Sequence, residues 1–263
     1  MKFIKYQACG NDYVYLDCFE QNIDDPCELS KKISNRHFGV GSDGLILILP
    51  SKISDAKMRI FNSDGSEGDI CGNGLRCVSK FLCDEKNINK EFINIETNVG
   101  IKRTKVVSRQ KNESQIEVNM GEPKFLKKIE LNMEDLDSNF GSYISMGNPH
   151  FVIFCDEISK LDIESIGRKI QTIDDFKGGV NVEFVRINSR SSIDMRVYER
   201  GSGETLSCGS GACASSFSAI YNNFCNNIVS VNLPGGTIKI EYKNDQIYMT
   251  GSAIKVFSGE FYL

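Results

Sequence analysis

The amino-acid sequence predicts an α+β protein built from two similar halves, each a strand-rich unit that encloses one helix. Three observations support this prediction. The chain repeats itself at an offset of 137 residues, most of its regular segments have strand character, and each half has one helix that opens at Cys-Gly-x-Gly. We expect the two halves to face each other across a pseudo-two-fold axis, with a cleft between them.

The internal repeat consists of several matches in chain order at one offset, a pattern that chance does not readily produce. Residues 59–62 read Arg-Ile-Phe-Asn, and residues 196–199 read Arg-Val-Tyr-Glu. The further matches at this offset pair Glu67 with Glu204, Cys71 with Cys208, Gly72 with Gly209, Gly74 with Gly211, Asn11 with Asn148, and Gly41 with Gly178. The repeat spans half of the chain, so it indicates a duplicated domain rather than a solenoid of short units.

The regular segments follow from residue type and punctuation. β-Branched and aromatic residues bounded by Gly, Asn and Pro predict strands over 2–7, 12–17, 45–49, 57–62, 92–97, 101–108, 115–120, 142–146, 150–155, 182–187, 193–199, 229–233, 237–242 and 246–250. Helical character predicts helices over 27–36, 71–84, 162–173 and 208–222. The last helix is built almost wholly of small residues, which indicates that sheet surrounds it.

Composition excludes several functional classes. The 263 residues are 25% charged and 40% hydrophobic, which is typical of a globular chain rather than a disordered one. The longest apolar run, residues 45–49, is too short to span a membrane. The net charge of -4 and the isoelectric point near 5.4 argue against nucleic-acid binding.

Ten cysteines are the unusual feature of the composition. The N-terminus is charged and lacks the apolar core of a signal peptide, so we expect a cytoplasmic protein with reduced thiols. Only two histidines occur, and the cysteines form no CxxC pair, which predicts no metal site. We interpret eight cysteines as small packing residues, and assign chemistry to Cys71 and Cys208.

Cys71 and Cys208 each stand at the predicted start of a helix. Such a terminus carries partial positive charge and unbonded N–H groups, so it can lower a thiol pKa and hold a carboxylate. Two thiols on opposite sides of a carboxylate-bearing carbon predict stereoinversion, in which one thiolate removes the α-proton and the other thiol protonates the opposite face.

The motifs around both cysteines closely resemble those of the diaminopimelate epimerase family. The first motif runs from Phe61 through Cys77, and the second runs from Arg196 through Ala214. Shorter matches lie at residues 10–12, 35–37, 145–150 and 233–236, so the resemblance covers nearly the whole chain.

The resemblance implies a fold and an activity. The fold is two pseudo-symmetric domains, each a curved, mostly antiparallel sheet wrapped around a central helix, with the active site in the interdomain cleft. The implied domains are residues 1–119 plus 252–263 and residues 120–251. The activity is interconversion of LL- and meso-2,6-diaminopimelate for bacterial lysine and peptidoglycan synthesis, without pyridoxal phosphate or another cofactor, and the resemblance suggests a homodimer.

The resemblance also implies roles for individual residues. Cys71 corresponds to the proton acceptor and Cys208 to the proton donor in the LL-to-meso direction, and these roles exchange in reverse. His150 and Glu199 correspond to residues beside the cysteines that tune pKa or hold the ammonium group. The residues that correspond to substrate-binding positions are Asn11, Asn62, Gly72, Asn73, Asn148, Asn181, Glu199, Arg200, Gly209 and Ser210.

The sequence departs from the family pattern at one position. Some family members carry Gln where this chain has Gly44, so the contact of that side chain is missing here. The GxGxxG sequence at 39–44 follows a predicted helix and opens a strand, which is the wrong context for a dinucleotide site.

Several alternative functions remain open. The alternative functions are a proline or hydroxyproline racemase, a phenazine-type isomerase of the same fold, a redox-sensing or metal-binding protein, and a cysteine hydrolase.

Overall fold

The structure is a computed structural model that describes residues 1–133 and 135–262, and it divides into two compact units. The first unit comprises Met1–Asn119 with Thr250–Leu263, and the second comprises Met120–Met249. Among the described residues, no helix combines the length and apolar character needed to cross a membrane.

The first unit encloses one buried helix in sheet. Its elements are β1 (Lys2–Ala8), β2 (Asn11–Asp17), α1 (Pro26–Ser34), β3 (Gly44–Leu49), β4 (Ala56–Asn62), β5 (Glu67–Gly68), α2 (Gly72–Glu85), β6 (Phe92–Thr97), β7 (Gly100–Arg109), and most of β8 (Glu113–Gly121) and β17 (Gln246–Glu260). Strands β2 and β3 pair in parallel, as do β4 and β6, and the other resolved pairings are antiparallel. Because β17 pairs with both β1 and β8, the sheet closes.

The second unit repeats this plan. Its elements are β9 (Lys124–Glu130), β10 (Phe140–Ser145), β11 (Pro149–Phe154), α3 (Ile163–Gln171), β12 (Asn181–Ser189), β13 (Ser192–Glu199), β14 (Gly203–Thr205), α4 (Gly209–Tyr221), β15 (Ile228–Leu233) and β16 (Gly236–Lys243), with 3-10 turns at Ile158–Lys160 and Asp174–Phe176. The parallel pairs are β11 with β12 and β13 with β15. Asn244 and Asp245 both have positive φ, which suits the two-residue turn between β16 and β17.

The strand register carries the repeat at the predicted offset. Tyr13 pairs with Gly44 in the first unit, and His150 pairs with Asn181 in the second. The helices α1 and α3 are also displaced by 137 residues. The predicted α+β class and the duplicated plan are confirmed.

Helix α4 is the centre of the second unit. Ten of its residues are buried, and nine of these are Gly, Ala, Ser or Cys. Small side chains let the sheet approach the helix from several directions, as predicted from the composition of this segment.

Four strands differ from the prediction: the short β5 and β14 and the longer β9 were left out, and β17 is longer than predicted. The sequence analysis left out β9, which carries three lysines and exposes most of its side chains, so no hydrophobic alternation marks it. The predicted strand 246–250 continues to Glu260. Two glycines interrupt that segment because neighbouring side chains occupy their space: Gly251 lies against the Arg76 guanidinium, and Gly259 lies against the Phe3 ring.

Candidate active site

Cys71 and Cys208 are the N-caps of helices α2 and α4. Both have an extended backbone, so each thiol lies where its strand-side loop turns into the helix. The first N–H groups of a helix have no intrahelical acceptors, and they favour anions. Gly72–Asn73 and Gly209–Ser210 supply these first turns, which makes each helix start a place where a carboxylate can bind.

The Cys71 thiol is half-buried beside two asparagines. Its Sγ accepts the Gly74 N–H at 3.3 Å and lies 3.5 Å from Asn11 Oδ1. The amide of Asn73 donates to the same Asn11 oxygen at 3.3 Å, and Arg76 donates to Asn73 Oδ1 at 2.9 Å. The structure therefore brings together the predicted residues Asn11, Cys71, and Asn73.

Asn11 is itself held by a group of charged residues that the sequence analysis did not assign. Its Nδ2 donates to Asp43 Oδ2 at 2.8 Å. Arg36 bridges that carboxylate at 2.9 Å and Asp12 at 2.8 Å. These contacts fix the amide so that its oxygen faces Cys71. The available sequence signal was the position of Asp43 directly before Gly44, in the loop where the sequence departs from the family pattern.

The Cys208 thiol is buried beside Ser210. The two side chains approach to 3.6 Å between Sγ and Oγ, and Asn148 Nδ2 donates to Ser210 Oγ at 3.4 Å. On the neighbouring strand, the Thr205 hydroxyl donates to Glu199 Oε1 at 2.5 Å, which fixes the half-buried carboxylate. The structure therefore brings together Cys208, Ser210 and Asn148.

The expectation that the helix start lowers the thiol pKa is wrong for Cys208. Burial raises the pKa of the Cys208 thiol well above its ordinary value, and the carboxylates of Glu199 and Glu183 raise it further. The opposing effect of a helix terminus is about 0.3–1 kcal/mol, less than the 1.36 kcal/mol of one pKa unit. Burial and like charge therefore win, and Cys208 is protonated near neutral pH.

His150 lies in the same unit and is fully buried against Glu183. Its Nδ1 is 2.6 Å from Glu183 Oε1, and its Nε2 is 3.1 Å from Asn148 Oδ1. Burial raises the pKa of the Glu183 carboxyl, while the adjacent imidazole opposes that rise. The sequence analysis placed His150 near a cysteine and missed Glu183, because a glutamate inside a strand carries no signal of full burial.

The remaining predicted residues have different surroundings. Asn181 uses both ends of its amide on backbone, since Oδ1 accepts the Arg200 N–H at 3.0 Å and Nδ2 donates to the Pro149 carbonyl at 3.1 Å. Arg200 is exposed and donates to the Gly178 carbonyl at 3.1 Å. Asn62 is exposed at the end of β4 and donates to Ser66 Oγ at 3.0 Å. These contacts of Asn62, Asn181 and Arg200 are with backbone groups and Ser66 rather than with a thiol.

Gly44 has no room for a side chain. A Cβ there would lie 2.1 Å from the Phe61 carbonyl oxygen and 2.8 Å from Tyr13 Cε1. The backbone at this position is thus in direct contact with the adjoining strand, and a larger residue would require β3 and β4 to separate.

The other cysteines are mostly packing residues. All ten are free thiols, and six of the eight outside the motif starts are buried, with Cys18 half-buried. Cys27 contradicts the packing interpretation because it is exposed, on the outer face of α1. Among residues 1–133 and 135–262, no cluster of three or more His, Cys, Asp or Glu side chains is placed to hold a metal ion.

Comparison with known proteins gives a consistent family. The sequence profile of the diaminopimelate epimerase family matches residues 3–126 and 142–256. The diaminopimelate epimerase of Acetivibrio thermocellus is 42% identical over 275 residues, which cover 99% of this chain and 98% of that protein. The enzyme of the same name from Methanococcus maripaludis strain C5 is 43% identical and is covered to 99%, as is this chain.

Solved structures support the fold. A phenazine biosynthesis protein from Bacillus anthracis superimposes with a TM-score of 0.76 at 18% identity, covering 100% of this chain and 99% of that one. A probable proline racemase from Agrobacterium radiobacter K84 gives 0.74 at 14% identity, covering 100% of this chain and 93% of that one. Similarity at these identities describes architecture alone.

Proposed function

We propose, because this chain belongs to the diaminopimelate epimerase family, that it interconverts LL- and meso-2,6-diaminopimelate with two cysteine thiols and no cofactor. The observation that carries the proposal is the pair of cysteines at duplicated helix starts, one in each unit. Family membership supports the substrate, and the duplicated helix starts support the mechanism.

The proposed reaction exchanges one proton for another at a single carbon. In the LL-to-meso direction, the Cys71 thiolate takes the α-proton, and the electron pair left behind delocalises into the adjacent carboxylate. The Cys208 thiol then donates its proton to the opposite face, so the product has inverted configuration and Cys208 is left as the thiolate. The meso-to-LL direction uses the same steps with the thiols exchanged.

The resting protonation of Cys208 supports this assignment. A proton donor must carry its proton before the reaction, and burial together with Glu199 holds the pKa of Cys208 high. The first N–H groups of α2 and α4, at Gly72–Asn73 and Gly209–Ser210, would hold the reacting carboxylate and stabilise the charge that develops on it. We assign no metal to this step.

The polar groups around the thiols would recognise the rest of the substrate. Asn11 and Asn148 can each offer an amide oxygen or N–H to the reacting end. Glu199 would pair with the ammonium group, and the Arg200 guanidinium would hold the distal carboxylate in a bidentate contact. Asn62 and Asn181 complete the proposed substrate-binding residues. Asn181 would also act by holding the backbone of Arg200 in place.

We also propose that the two units are the two epimerase domains, and that the protein is a cytoplasmic homodimer that does not bind nucleic acid. The acidic isoelectric point and the ten free thiols support the location and the absence of a nucleic-acid partner. Light scattering after size-exclusion chromatography would measure the mass, and a monomer at working concentration would contradict the dimer.

The test of the reaction is proton exchange. Reduced protein is incubated with LL-diaminopimelate in deuterated water, and we expect meso product with deuterium at the inverted α-carbon. L-Proline serves as a control, because a proline racemase would exchange it and an epimerase of this family would leave it unchanged. Folded, fully reduced protein that exchanges no α-proton of diaminopimelate would refute the proposed function.

A further inference from the structure

Glu183 is a fully buried carboxyl group that the proposed reaction leaves without a role. Both Glu183 and His150 have 0% side-chain exposure, and 2.6 Å separates Oε1 from Nδ1. Among residues 1–133 and 135–262, Glu183 Oε2 has no hydrogen-bond partner. The carboxyl group also touches the first turn of α4, since a Cβ on Gly211 would lie 2.7 Å from Oε1. A carboxyl group in such a place is costly unless it is neutral or paired.

The first unit has no counterpart of this pair. At the repeat offset, Tyr13 takes the place of His150, and Ile46 takes the place of Glu183. Ile46 lies against Gly74 just as Glu183 lies against Gly211, so the packing at the helix start does not require a carboxyl group. Glu183 therefore has a role that is specific to the second thiol.

A continuous chain of hydrogen bonds links Glu183 to Cys208. From the Glu183–His150 contact it passes through His150 Nε2 to Asn148 Oδ1 at 3.1 Å. It continues from Asn148 Nδ2 to Ser210 Oγ at 3.4 Å, and Ser210 Oγ lies 3.6 Å from Cys208 Sγ. Every link lies within Met120–Met249.

The chemistry of the links gives this chain a direction. Asn148 Oδ1 can only accept, so His150 Nε2 must donate to it. The Ser210 hydroxyl accepts from Asn148, which leaves its own proton available to Cys208 Sγ. His150 Nδ1 must then either accept a proton from Glu183 or carry one as imidazolium. In both cases Glu183 and His150 share one proton between Oε1 and Nδ1, in addition to the proton on Nε2, and the pair has no net charge.

We propose that Glu183 is a positioning residue that keeps a proton on the His150 pair and so directs the hydrogen-bond chain to donate toward Cys208. This inference rests on the proposed function in taking Cys208 as a reacting thiol. The hydrogen-bond chain stabilises the Cys208 thiolate. Cys208 is a thiolate after it has donated its proton, and it must be a thiolate to act as the base in the meso-to-LL direction.

The groups that face Cys208 act on its pKa in both directions, and the proton shared with His150 decides the effect of Glu183. Burial, Glu199 and Glu183 raise the pKa of the Cys208 thiol, whereas the Ser210 hydroxyl and the Gly211 N–H lower it. Glu199 is also the other carboxylate that acts on Glu183. While the pair keeps its proton, Glu183 exerts no net repulsion on the thiolate, and the Ser210 hydroxyl remains the donor.

The test measures the thiol directly and needs no substrate. Glu183→Leu, Glu183→Gln and wild-type proteins are alkylated with iodoacetamide between about pH 7 and pH 9, near the pKa of a free thiol. Peptide mass spectrometry then gives the rate at each cysteine. Exposed Cys27 reports the reagent and Cys71 reports the first unit, while Glu130→Leu, which removes an exposed carboxylate from β9, controls for charge.

The two substitutions have distinct expected results. Leu cannot donate to His150, so Glu183→Leu should slow alkylation of Cys208 about tenfold, the effect of one pKa unit. The amide of Gln can donate to Nδ1, so Glu183→Gln should change the rate by less than about threefold, half a pKa unit. Cys71 and Cys27 should be unaffected in both variants.

Several outcomes would overturn the proposal. Faster alkylation of Cys208 in both variants would mean that Glu183 acts as a simple anion, and an unchanged rate in Glu183→Leu would mean that it only packs. If Glu183→Leu fails to fold, Ser210→Ala tests the last link of the hydrogen-bond chain. Alkylation of Cys208 in Ser210→Ala at the wild-type rate would refute a role for that chain. Absence of deuterium exchange in the wild-type protein would refute the epimerase reaction. The alkylation rates are measured without substrate, so that result would leave them unchanged.

Discussion

Glu199→Gln is the substitution that best separates pKa tuning from substrate binding. Glu199 is the largest cause after burial of the raised pKa of Cys208. Its Oε1 accepts a hydrogen bond from Thr205, and a Gln carbonyl can accept the same bond. The substitution therefore removes the negative charge while it retains the shape and the contact.

The size of the effect follows from the surroundings of the charge. A neighbouring charge shifts the pKa of an ionisable group by about one to three units. Glu199 is half-buried, so solvent screening brings the expected shift toward the lower end, about one unit or 1.4 kcal/mol. Removal of a negative charge lowers the thiol pKa, so more Cys208 is thiolate at a given pH and its alkylation should become about tenfold faster.

Turnover should move in the opposite direction. If Glu199 also pairs with the substrate ammonium, Glu199→Gln should lower kcat/KM for diaminopimelate even though Cys208 becomes more reactive. The control is Glu204→Gln, which loses the same charge from a carboxylate that is paired with Arg196 at 2.7 Å. Slower or unchanged alkylation of Cys208 in Glu199→Gln would refute the electrostatic reasoning.

Three further predictions concern the thiols and the strand pairing. Cys71→Ala and Cys208→Ala should each reduce epimerisation below detection in a coupled assay, because each face of the carbon needs its own acid or base; near-normal turnover in either would exclude the two-thiol mechanism. Mild oxidation should inactivate the enzyme, and a thiol reductant should restore activity; full activity after proven oxidation of both thiols would contradict this. Gly44→Ala should lower the free energy of unfolding by about 1–3 kcal/mol in urea because its Cβ would meet the Phe61 carbonyl. Gly68→Ala, whose Cβ meets only an Ile60 methyl at 3.3 Å, should change it by less than about 0.5 kcal/mol, and equal losses would contradict the steric argument.

The sequence was informative about the fold wherever local pattern and tertiary environment agree. The helix of small residues at α4 and the apolar strand β3 were predictable because burial on all sides requires such residues. Strand β9 was not predictable, since most of its side chains are exposed and no apolar alternation marks the segment that pairs with β10. The length of β17 was hidden by glycines that are required by neighbouring side chains rather than by turns.

The site was predictable where both halves carry the same residues. Cys71 and Cys208 were found because a repeated Cys-Gly-x-Gly identifies two equivalent helix starts. Three features were out of reach: the charged support of Asn11, the buried position of Glu183, and the direction in which the Cys208 pKa shifts. Each depends on burial and on contacts between distant strands, which spacing along one chain does not report.

The comparison of repeated positions separates what both thiols need from what only one needs. Arg59 bonds to Glu67 through two nitrogens, and the equivalent Arg196 bonds to Glu204 in the same way, so this pairing serves the fold of each half.

The positions behind the thiols have diverged instead, because Ile46 in one half corresponds to Glu183 in the other. Two thiols in equivalent surroundings would have equal pKa values. Glu199 takes the position of Asn62 at the repeat offset, so the second half has a carboxylate that raises the pKa of its thiol where the first half has an amide. Under the proposed mechanism, this inequality keeps Cys208 as the protonated thiol in the free enzyme. It cannot alter the equilibrium ratio of the two isomers, since a catalyst must accelerate both directions by the same factor.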